Sequence, residues 1–347
     1  MLTAAIIGCG RVVQVGHVLG FGATQDRIKV VALSDPVAEN LEIVGAALGV
    51  PEQKRFIDYR NMLDVVDCDF VDLALPHFLH EEVTIACARA GRHILAEKPL
   101  CTSVAAGTRI AAAVRDSGVV FGIQHNYTCF PHHAAIRQAI KSGLSGNPYL
   151  VRYESFFSGR HWPGAAGYDP DWRVKLNRGG GGALIDPGYH SVYLSELFMG
   201  QPVERVVARA IATEAGEVDD LALTILSHEG GGVSSVQIGW SVHGGSPAVV
   251  EVHGSAGSLR IGDQNVIEHH DADKEEWTPY FVPEGRLSFV DTYAGMLDEF
   301  AAAVVGGRQP TYGLDAALHT LAIIMAAYES ERVGEAVSVR SLERQMN

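Results

Sequence analysis

Three side chains of this 347-residue sequence have the types and spacing needed to move a proton at a hydroxyl group. Asp186 and His190 are spaced i, i+4, so a helix here would place them on one face, where the carboxylate would raise the pKa of the imidazole and orient it. Lys98, which follows Glu97 and a short apolar run, can donate a hydrogen bond to a reacting oxygen. The simpler interpretations are a helix-capping Asp186, a packed His190 and an exposed Lys98 in a turn.

A glycine-rich turn near the start of the sequence would bind the hydride carrier that such chemistry needs. Gly8 and Gly10 directly follow an apolar run and would permit a tight turn and the close approach of a pyrophosphate at a helix N-terminus. Arg11 and Val12 come next and are candidate cofactor contacts. The third position of the pattern is Val13 instead of Gly or Ala, so we expect the helix to lie slightly farther from the strand.

The second apolar run ends at Asp35, which strengthens the prediction of dinucleotide binding. A carboxylate at this place suits the 2′- and 3′-hydroxyls of an adenosine ribose and repels a 2′-phosphate. The sequence therefore predicts NAD as the cofactor in preference to NADP. The alternative is that Asp35 and Pro36 form an ordinary turn.

The elements that must position these residues change in character near residue 125. Before it, five apolar runs suited to buried strands alternate with four helical stretches. The runs are 3–7, 28–33, 70–75, 93–96 and 119–123, and the helical stretches are 16–23, 37–48, 81–90 and 104–117. This alternation predicts a doubly wound α/β fold with a parallel sheet covered on both faces.

After residue 125 the strand candidates alternate between apolar and polar residues, which is typical of an antiparallel sheet with one packed face and one free face. The strand candidates are 149–157, 203–211, 222–226, 233–240, 249–253 and 258–261, followed by helices over 289–305 and 314–330. The sequence thus predicts two domains, 1–125 of α/β class and 126–347 of α+β class. We expect the last helices to be able to pack back on the first domain.

Composition excludes several classes of function. Lys and Arg number 27 and Asp and Glu number 41, giving a net charge of −14, which disfavours nucleic acid and anionic membrane surfaces as partners. No apolar stretch approaches the ~20 residues that span a bilayer. The five cysteines form no CxxC pattern, which predicts free thiols and a cytoplasmic location. The histidines lack an HExxH or cysteine context, so no metal ion is expected.

Several further motifs, taken in order along almost the whole chain, resemble the glucose–fructose oxidoreductase / inositol dehydrogenase / MocA family. Residues 96–99 (AEKP) and 75–80 (LPHFLH) resemble two of its loops, although His77 stands where Asn is common. Residues 124–127 (QHNY) resemble its next motif, although Thr128 stands where an Arg is frequent. Residues 171–173 (DWR) and 180–190 resemble its WR…GGGaLxDxGxH pattern.

This resemblance implies a Rossmann domain followed by an α/β domain whose open sheet often serves for oligomerisation, here a homodimer or homotetramer. It implies His190 as the base, Lys98 as stabiliser of the oxygen, and Asp186 as its orienter or as a ligand of a substrate hydroxyl. It also implies cofactor contacts at Leu75, Pro76, His77, His80, Glu97, Lys98 and Asn126. Trp172 and Arg173 would approach the cofactor or the substrate, or would serve only in packing between the domains.

The expected function is NAD-dependent hydride transfer at a hydroxyl-bearing carbon of a sugar, inositol or related polyol. Alternatives on the same fold are a redox-neutral sugar hydrolase or lyase that retains NAD and a dinucleotide-binding sensor without catalysis. An unrelated reductase of imines or dihydrodiols is a further alternative. We expect substrate specificity to lie in segments 156–174 and 273–286, and we interpret the glycine run 179–182 as a mobile loop.

Overall fold

The computed structural model describes residues 1–158, 170–214, 216–245, 249–284 and 288–346. Its first half contains a sheet of six parallel strands in the order β3-β2-β1-β4-β5-β6. The strands are β1 (Leu2–Ile7), β2 (Ile28–Ser34), β3 (Arg55–Phe56), β4 (Phe70–Leu73), β5 (His93–Ala96) and β6 (Phe121–Ile123). The order reverses between β1 and β4, and open α/β sheets bind ligands at the carboxyl ends of strands beside such a reversal.

The connecting helices are α1 (Val18–Ala23), α2 (Ala38–Leu48), α3 (Tyr59–Val65), α4 (His80–Arg89) and α5 (Val104–Ser117). A π-helical turn over Val13–His17 leads into α1. The buried Val13 side chain begins this wider turn, at the place where a third glycine would allow closer packing. The predicted parallel α/β fold is confirmed, and the sequence analysis missed only its short elements, β3 and α3.

The second half is built around a nine-stranded sheet in the order β14-β13-β12-β11-β7-β10-β9-β8-β15. Its strands are β7 (Pro148–Phe156), β8 (Val203–Ile211), β9 (Leu221–His228), β10 (Val233–Gly239), β11 (Val249–Gly254), β12 (Gly257–Ile261), β13 (Ile267–Asp271), β14 (Thr278–Phe281) and β15 (Val337–Ser338). The helices are α6 (Pro131–Lys141), α7 (Leu176–Gly179), α8 (Gly188–Met199), α9 (Phe289–Val305), α10 (Leu314–Val333) and α11 (Val339–Met346). Among the described strands of this sheet, only β7 and β10 pair in parallel, so the sheet is mostly antiparallel, as predicted.

The two faces of this sheet differ in burial. Val206 and Leu226 are fully buried on the face that α8 and α10 cover. Residues adjacent to these along the strands point the other way, and Val207 and Ile225 are exposed there. The period-2 pattern of the strands thus produces one packed face and one free face, as the sequence analysis predicts.

Two glycines bring a helix of the second half against α1. A Cβ atom added at Gly16 would lie 2.3 Å from the ring of Tyr293, and one added at Gly20 would lie 2.6 Å from the Tyr293 Cβ. Helix α9 can therefore approach α1 closely only because these positions lack side chains. This close packing brings Tyr293 into contact with two buried side chains of the first half. Its hydroxyl donates to Glu97 at 3.1 Å, and its ring lies 4.5 Å from that of His17.

None of the five cysteines forms a disulfide, as the sequence analysis predicts. In the parts of the chain that are described, no helix is both long and apolar enough to cross a membrane.

The glycine contacts predict that two alanine substitutions in one helix change stability in opposite directions. Gly22 is exposed, and a Cβ added there meets nothing within 4 Å, so Gly22→Ala should raise the free energy of unfolding by up to about 1 kcal/mol through helix propensity. Gly20→Ala should lower it by about 1–3 kcal/mol, because its Cβ collides with Tyr293. Urea unfolding of both variants measures the difference, and a stabilising Gly20→Ala would contradict the close packing of α1 and α9.

Candidate active site

A cavity of about 190 Å³ lies where the glycine turn, the end of β5 and the start of α8 meet. Arg11, Val12, Val15, Gly16, Glu97 and Lys98 line it from the first half of the chain. Asn126, Tyr127, Phe157, Arg173, Asp186, Pro187, His190, Trp240, Phe289 and Tyr293 line it from the second half. The cavity therefore brings together the predicted cofactor turn and the three predicted catalytic residues.

The glycine turn has the shape that a dinucleotide requires. Gly8 has a φ of +92°, and a Cβ there would lie 2.1 Å from the carbonyl oxygen of Ala74, so β1 can turn next to β4 only with glycine at this position. Gly10 faces open space, because an added Cβ would meet nothing within 4 Å. The turn thus leaves its backbone accessible to a pyrophosphate, and the first half of the chain fits the predicted cofactor.

Asp35 is buried at the end of β2, with both carboxylate oxygens hydrogen-bonded. One oxygen accepts a hydrogen bond from the backbone N–H of Cys9 at 2.7 Å, and the other accepts one from Val37 at 2.8 Å. Asp35 therefore ties the glycine turn to the start of α2. Asp35 therefore does more than form an ordinary turn with Pro36, the alternative considered from the sequence. Its hydrogen bond to Cys9 also places the carboxylate beside the glycine turn.

Asp186 is held by two cations from different parts of the chain. Its Oδ1 lies 2.6 Å from Lys98 Nζ, which also donates to the Asp186 carbonyl at 2.9 Å, and its Oδ2 lies 3.1 Å from Arg173 Nε. Burial opposes ionisation of this carboxyl group, but Lys98 and Arg173 outweigh burial and hold its pKa well below the ordinary value. Asp186 is therefore a carboxylate that orients Lys98 at the cavity wall.

The predicted pairing of Asp186 with His190 is wrong. Pro187 precedes the first residue of α8, so Asp186 lies before the helix and the i, i+4 geometry does not apply. His190 Nδ1 instead lies 2.8 Å from the hydroxyl of Tyr193, and its ring stacks on Tyr127 at 3.8 Å. Burial and the nearby Lys98 lower the pKa of His190 well below its ordinary value, so the imidazole is neutral, contrary to the raised pKa that the sequence analysis expects.

The remaining predicted contacts divide into cavity residues and residues behind the wall. Asn126 and Arg173 line the cavity, but Leu75, Pro76, His77, His80 and Trp172 do not. His77 is buried, its Nδ1 lies 2.9 Å from the Gly179 carbonyl, and its ring packs against Trp172 at 4.7 Å. His80 Nε2 lies 2.9 Å from the Leu75 carbonyl. Trp172 and the two histidines thus support the site from behind.

The glycine run before Asp186 is packed, which argues against its interpretation as a mobile loop. A Cβ at Gly182 would lie 1.8 Å from the backbone oxygen of Asp219, whose carboxylate accepts hydrogen bonds from the N–H groups of Gly182 and Leu184, both at 2.8 Å. Asp219 also accepts a hydrogen bond from Tyr328 at 2.8 Å. Glycine is needed here for close approach, and the turn fixes the path of the chain into Asp186.

His17 is a functional neighbour of the site that the sequence analysis missed. Its Nδ1 lies 2.6 Å from Asp72 Oδ2, its Nε2 lies 3.0 Å from Glu97 Oε1, and the same Glu97 oxygen accepts a hydrogen bond from Tyr293 at 3.1 Å. Burial disfavours the charged ring, but the two carboxylates outweigh it and raise the pKa of His17 to about 10. No local pattern reveals this group, because its partners are far away in sequence.

The other Glu97 oxygen, Oε2, accepts a hydrogen bond from the backbone N–H of Lys98 at 3.0 Å. Burial opposes ionisation of Glu97, but the hydrogen bond and charge of His17 lower its pKa below the ordinary value. The His17 imidazolium therefore supports the strand end from which Lys98 projects. In the described ranges, no three His, Cys, Asp or Glu side chains form a group that could hold a metal ion.

Both halves of the chain match known family domains. Residues 2–125 match the oxidoreductase family with an NAD-binding Rossmann fold, and residues 133–260 match the GFO/IDH/MocA C-terminal domain. The chain belongs to the GFO/IDH/MocA family. This confirms the resemblance drawn from the sequence motifs and shows that the protein is an oxidoreductase with a Rossmann domain for a nicotinamide dinucleotide.

Relatives and structural neighbours of this family member align over most of its length. D-apiose dehydrogenase of Paraburkholderia graminis is 26% identical and aligns over 98% of this chain and 90% of its own length. D-xylose 1-dehydrogenase (NADP(+)) 2 of Haloferax volcanii is 27% identical over 85% of this chain and 87% of its own. A solved structure of levoglucosan dehydrogenase with NADH and levoglucosan has a TM-score of 0.87 at 22% identity, covering 97% of this chain and 99% of that one, which shows the shared fold.

The predicted specificity segments of this family member are only partly described. Their portions at 159–169 and 285–286 lie outside the described residues. The described portions contribute Phe157 and Arg173 to the cavity wall.

The His17 contacts predict a specific pH dependence of stability. The folded protein keeps the His17 proton up to about pH 10, whereas the unfolded chain loses it near pH 6.5. Unfolding therefore releases a proton between these values, and the free energy of unfolding falls as the pH rises, by up to about 1.4 kcal/mol per pH unit. His17→Gln should lower stability at pH 7 by about 3 kcal/mol, because two buried carboxylates lose their cation, and should flatten this slope.

Denaturant unfolding at pH 7, 8 and 9 measures the effect. His243→Gln removes an exposed histidine and should leave the slope unchanged. Equal slopes for the wild type and His17→Gln would show that His17 is not charged in the folded protein.

Proposed function

We propose that the protein is an NAD-dependent dehydrogenase that moves a hydride between the nicotinamide and a hydroxyl-bearing carbon of a sugar, an inositol or a related polyol. The observation that carries this proposal is one cavity lined by the glycine turn and by Lys98, Asp186 and His190. A ligand hydroxyl in that cavity would lie among hydrogen-bonding groups next to the cofactor turn.

Within this cavity each polar residue has a distinct task. Lys98 Nζ donates two hydrogen bonds to Asp186, so an ammonium there keeps a third N–H to donate to the reacting oxygen and stabilise the developing alkoxide. Asp186 orients Lys98 and, with Arg173, fixes the second half of the chain at the cavity. His190 presents its other ring nitrogen to the same space. When bound, the nicotinamide supplies the hydride acceptor.

The aromatic part of the cavity wall supports a sugar-like substrate. Phe157, Trp240 and Phe289 line it, and such rings suit the C–H face of a sugar while the polar groups bind its hydroxyls. The net charge of −14 favours a neutral substrate over a phosphorylated one. The names of D-apiose dehydrogenase, D-xylose dehydrogenase and levoglucosan dehydrogenase agree with this class.

The preference for NAD rests on Asp35. Its carboxylate lies at the end of β2 beside the glycine turn, where it would repel the 2′-phosphate of NADP. The relatives do not decide the matter, because one is named for NADP and a structural neighbour contains NADH. We also propose that the free face of the second sheet, with exposed Val207, Leu223 and Ile225, pairs copies of the chain in a homodimer or homotetramer.

The dehydrogenase proposal predicts formation of NADH with one group of neutral sugars or polyols. Purified protein is mixed with NAD and a panel of inositols, aldoses and polyols, and the absorbance of reduced nicotinamide is followed. Lys98→Met should lower kcat by about 10²–10³-fold, because it removes a donor to the alkoxide, whereas Lys29→Met, on an exposed position of β2, should leave kcat unchanged. Substrate consumption without net NADH would indicate redox-neutral chemistry instead.

The cofactor proposal predicts a change in selectivity on removal of one charge. Asp35→Asn should lower the ratio of the NADP and NAD dissociation constants about 10-fold, since a repulsion worth about 1.4 kcal/mol or more disappears. Fluorescence titration with each cofactor, on the same preparation, gives the ratio of the two dissociation constants. Because both titrations use the same protein, a loss of folded protein affects them equally. Asp26→Asn removes a distant exposed charge as the control. An unchanged ratio would place cofactor selectivity elsewhere.

A further inference from the structure

We propose that Tyr193 holds His190 in the tautomer with its proton on Nε2, so that His190 donates a hydrogen bond to the reacting oxygen and does not remove its proton. This inference rests on the proposed dehydrogenase function and concerns the same cavity. It assigns Tyr193 as a positioning residue, and it differs from the base role that the sequence motifs imply for His190.

The direction of the Tyr193 hydrogen bond follows from its two neighbours. The Tyr193 hydroxyl oxygen lies 3.2 Å from the backbone nitrogen of Tyr127 and 2.8 Å from His190 Nδ1. The Tyr127 N–H can only donate, so the Tyr193 oxygen accepts there. In the described parts of the chain, His190 Nδ1 is the one acceptor within hydrogen-bond distance of the hydroxyl. The Tyr193 proton therefore points at Nδ1.

The tautomer of His190 follows from that contact. A neutral imidazole carries one proton, and when Nδ1 accepts from Tyr193 this proton is on Nε2. The His190 ring lines the cavity, and its Nε2 has no hydrogen-bond partner in the described ranges. Nε2–H is therefore a donor available to a ligand.

The ring is also fixed in orientation. Tyr193 lies one helical turn after His190 on α8, and Tyr127 stacks on the imidazole with an interplanar angle of 7°. For Nε2 to act as a base, the proton would have to lie on Nδ1, and the Tyr193 hydroxyl would then lose its acceptor in a buried place. A flipped tautomer thus costs a hydrogen bond.

The surrounding charges keep the ring neutral. The titratable groups that face His190 are Lys98, Asp186, His125, His133, Tyr127 and Tyr193. Burial lowers the pKa of His125 and of His133 to about 3, so neither carries charge at neutral pH. Lys98 is the nearby cation, and its preferred partner is Asp186. A neutral imidazole can serve as an electrophilic donor in this way.

In the direction of reduction the step balances without His190. The Lys98 ammonium, which Asp186 holds, would give a proton to the carbonyl oxygen, and a reduced nicotinamide, when bound, would supply the hydride to the carbonyl carbon. The C=O double bond becomes C–O–H, Lys98 is left as the amine, and oxidation is the reverse of this step. His190 Nε2–H remains hydrogen-bonded to the oxygen and gains or loses no proton.

Nuclear magnetic resonance tests the tautomer without any substrate. Long-range ¹H–¹⁵N spectra of the full chain with ¹⁵N-labelled histidine report the protonation of each ring nitrogen, and His190→Gln identifies the His190 signals. We expect a protonated Nε2 and an unprotonated Nδ1 in the wild type, and a shift toward mixed tautomers in Tyr193→Phe. A protonated Nδ1 in the wild type would overturn the proposal, whether or not the protein proves to be a dehydrogenase.

Kinetics test the consequence for the reaction. Glutamine keeps an N–H donor but takes no proton, so His190→Gln should retain kcat within about 10-fold and keep the acidic limb of the pH profile, while His190→Leu loses about 10²–10³-fold. Tyr193→Phe should lower kcat with little change in KM. Equal losses in the Gln and Leu variants, with the acidic limb gone, would show that His190 is the base. Unchanged NAD dissociation constants confirm that each variant is folded.

Discussion

Asp186 is an ionised carboxylate in a largely buried place, and both halves of the site depend on how it is neutralised. Lys98 reaches it from the end of β5, and Arg173 reaches it from the second half of the chain. Removing one partner of a buried ion pair leaves an uncompensated charge, which lowers the free energy of unfolding by several kcal/mol. The carboxylate therefore fixes the ammonium at the cavity and joins the two halves of the protein at the cavity wall.

The need to pair each buried charge with one of opposite sign extends behind the cavity, where a row of charged side chains alternates in sign. Asp72, His17 and Glu97 continue from the Lys98 backbone into the parallel sheet. Each buried ion in the row has a neighbour of opposite charge, so desolvation is offset by hydrogen bonds with fixed geometry. Tyr293 completes the row from α9, and it can do so because Gly16 and Gly20 admit its ring. Packing of the last helices and electrostatics of the site are thus coupled.

The sequence predicts those parts of this arrangement that local patterns encode. Continuous apolar runs predict the parallel sheet, and Gly8 and Gly10 predict the cofactor turn. Both features can be recognised from the residue types within a few positions of the sequence. The ordered motifs place Lys98, Asp186 and His190 in one cavity. The predicted contact between Asp186 and His190 on one helix face is wrong because α8 begins after Pro187, so Asp186 lies outside the helix. His17 and Asp219 have partners distant in sequence, and spacing gives no sign of such contacts.

Two histidines of the site, His17 and His190, show why residue type alone does not assign chemistry. His17 lies between two carboxylates, which raise its pKa to about 10 and make it a fixed cation. His190 is also buried but lines the cavity, and it lies near the Lys98 ammonium as well as the Asp186 carboxylate; its pKa is lowered. Desolvation acts on both in the same direction, so the neighbours decide the outcome. A histidine held neutral by its surroundings is suited to donate a hydrogen bond, and in the mechanism we propose, proton transfer at the substrate oxygen then belongs to Lys98.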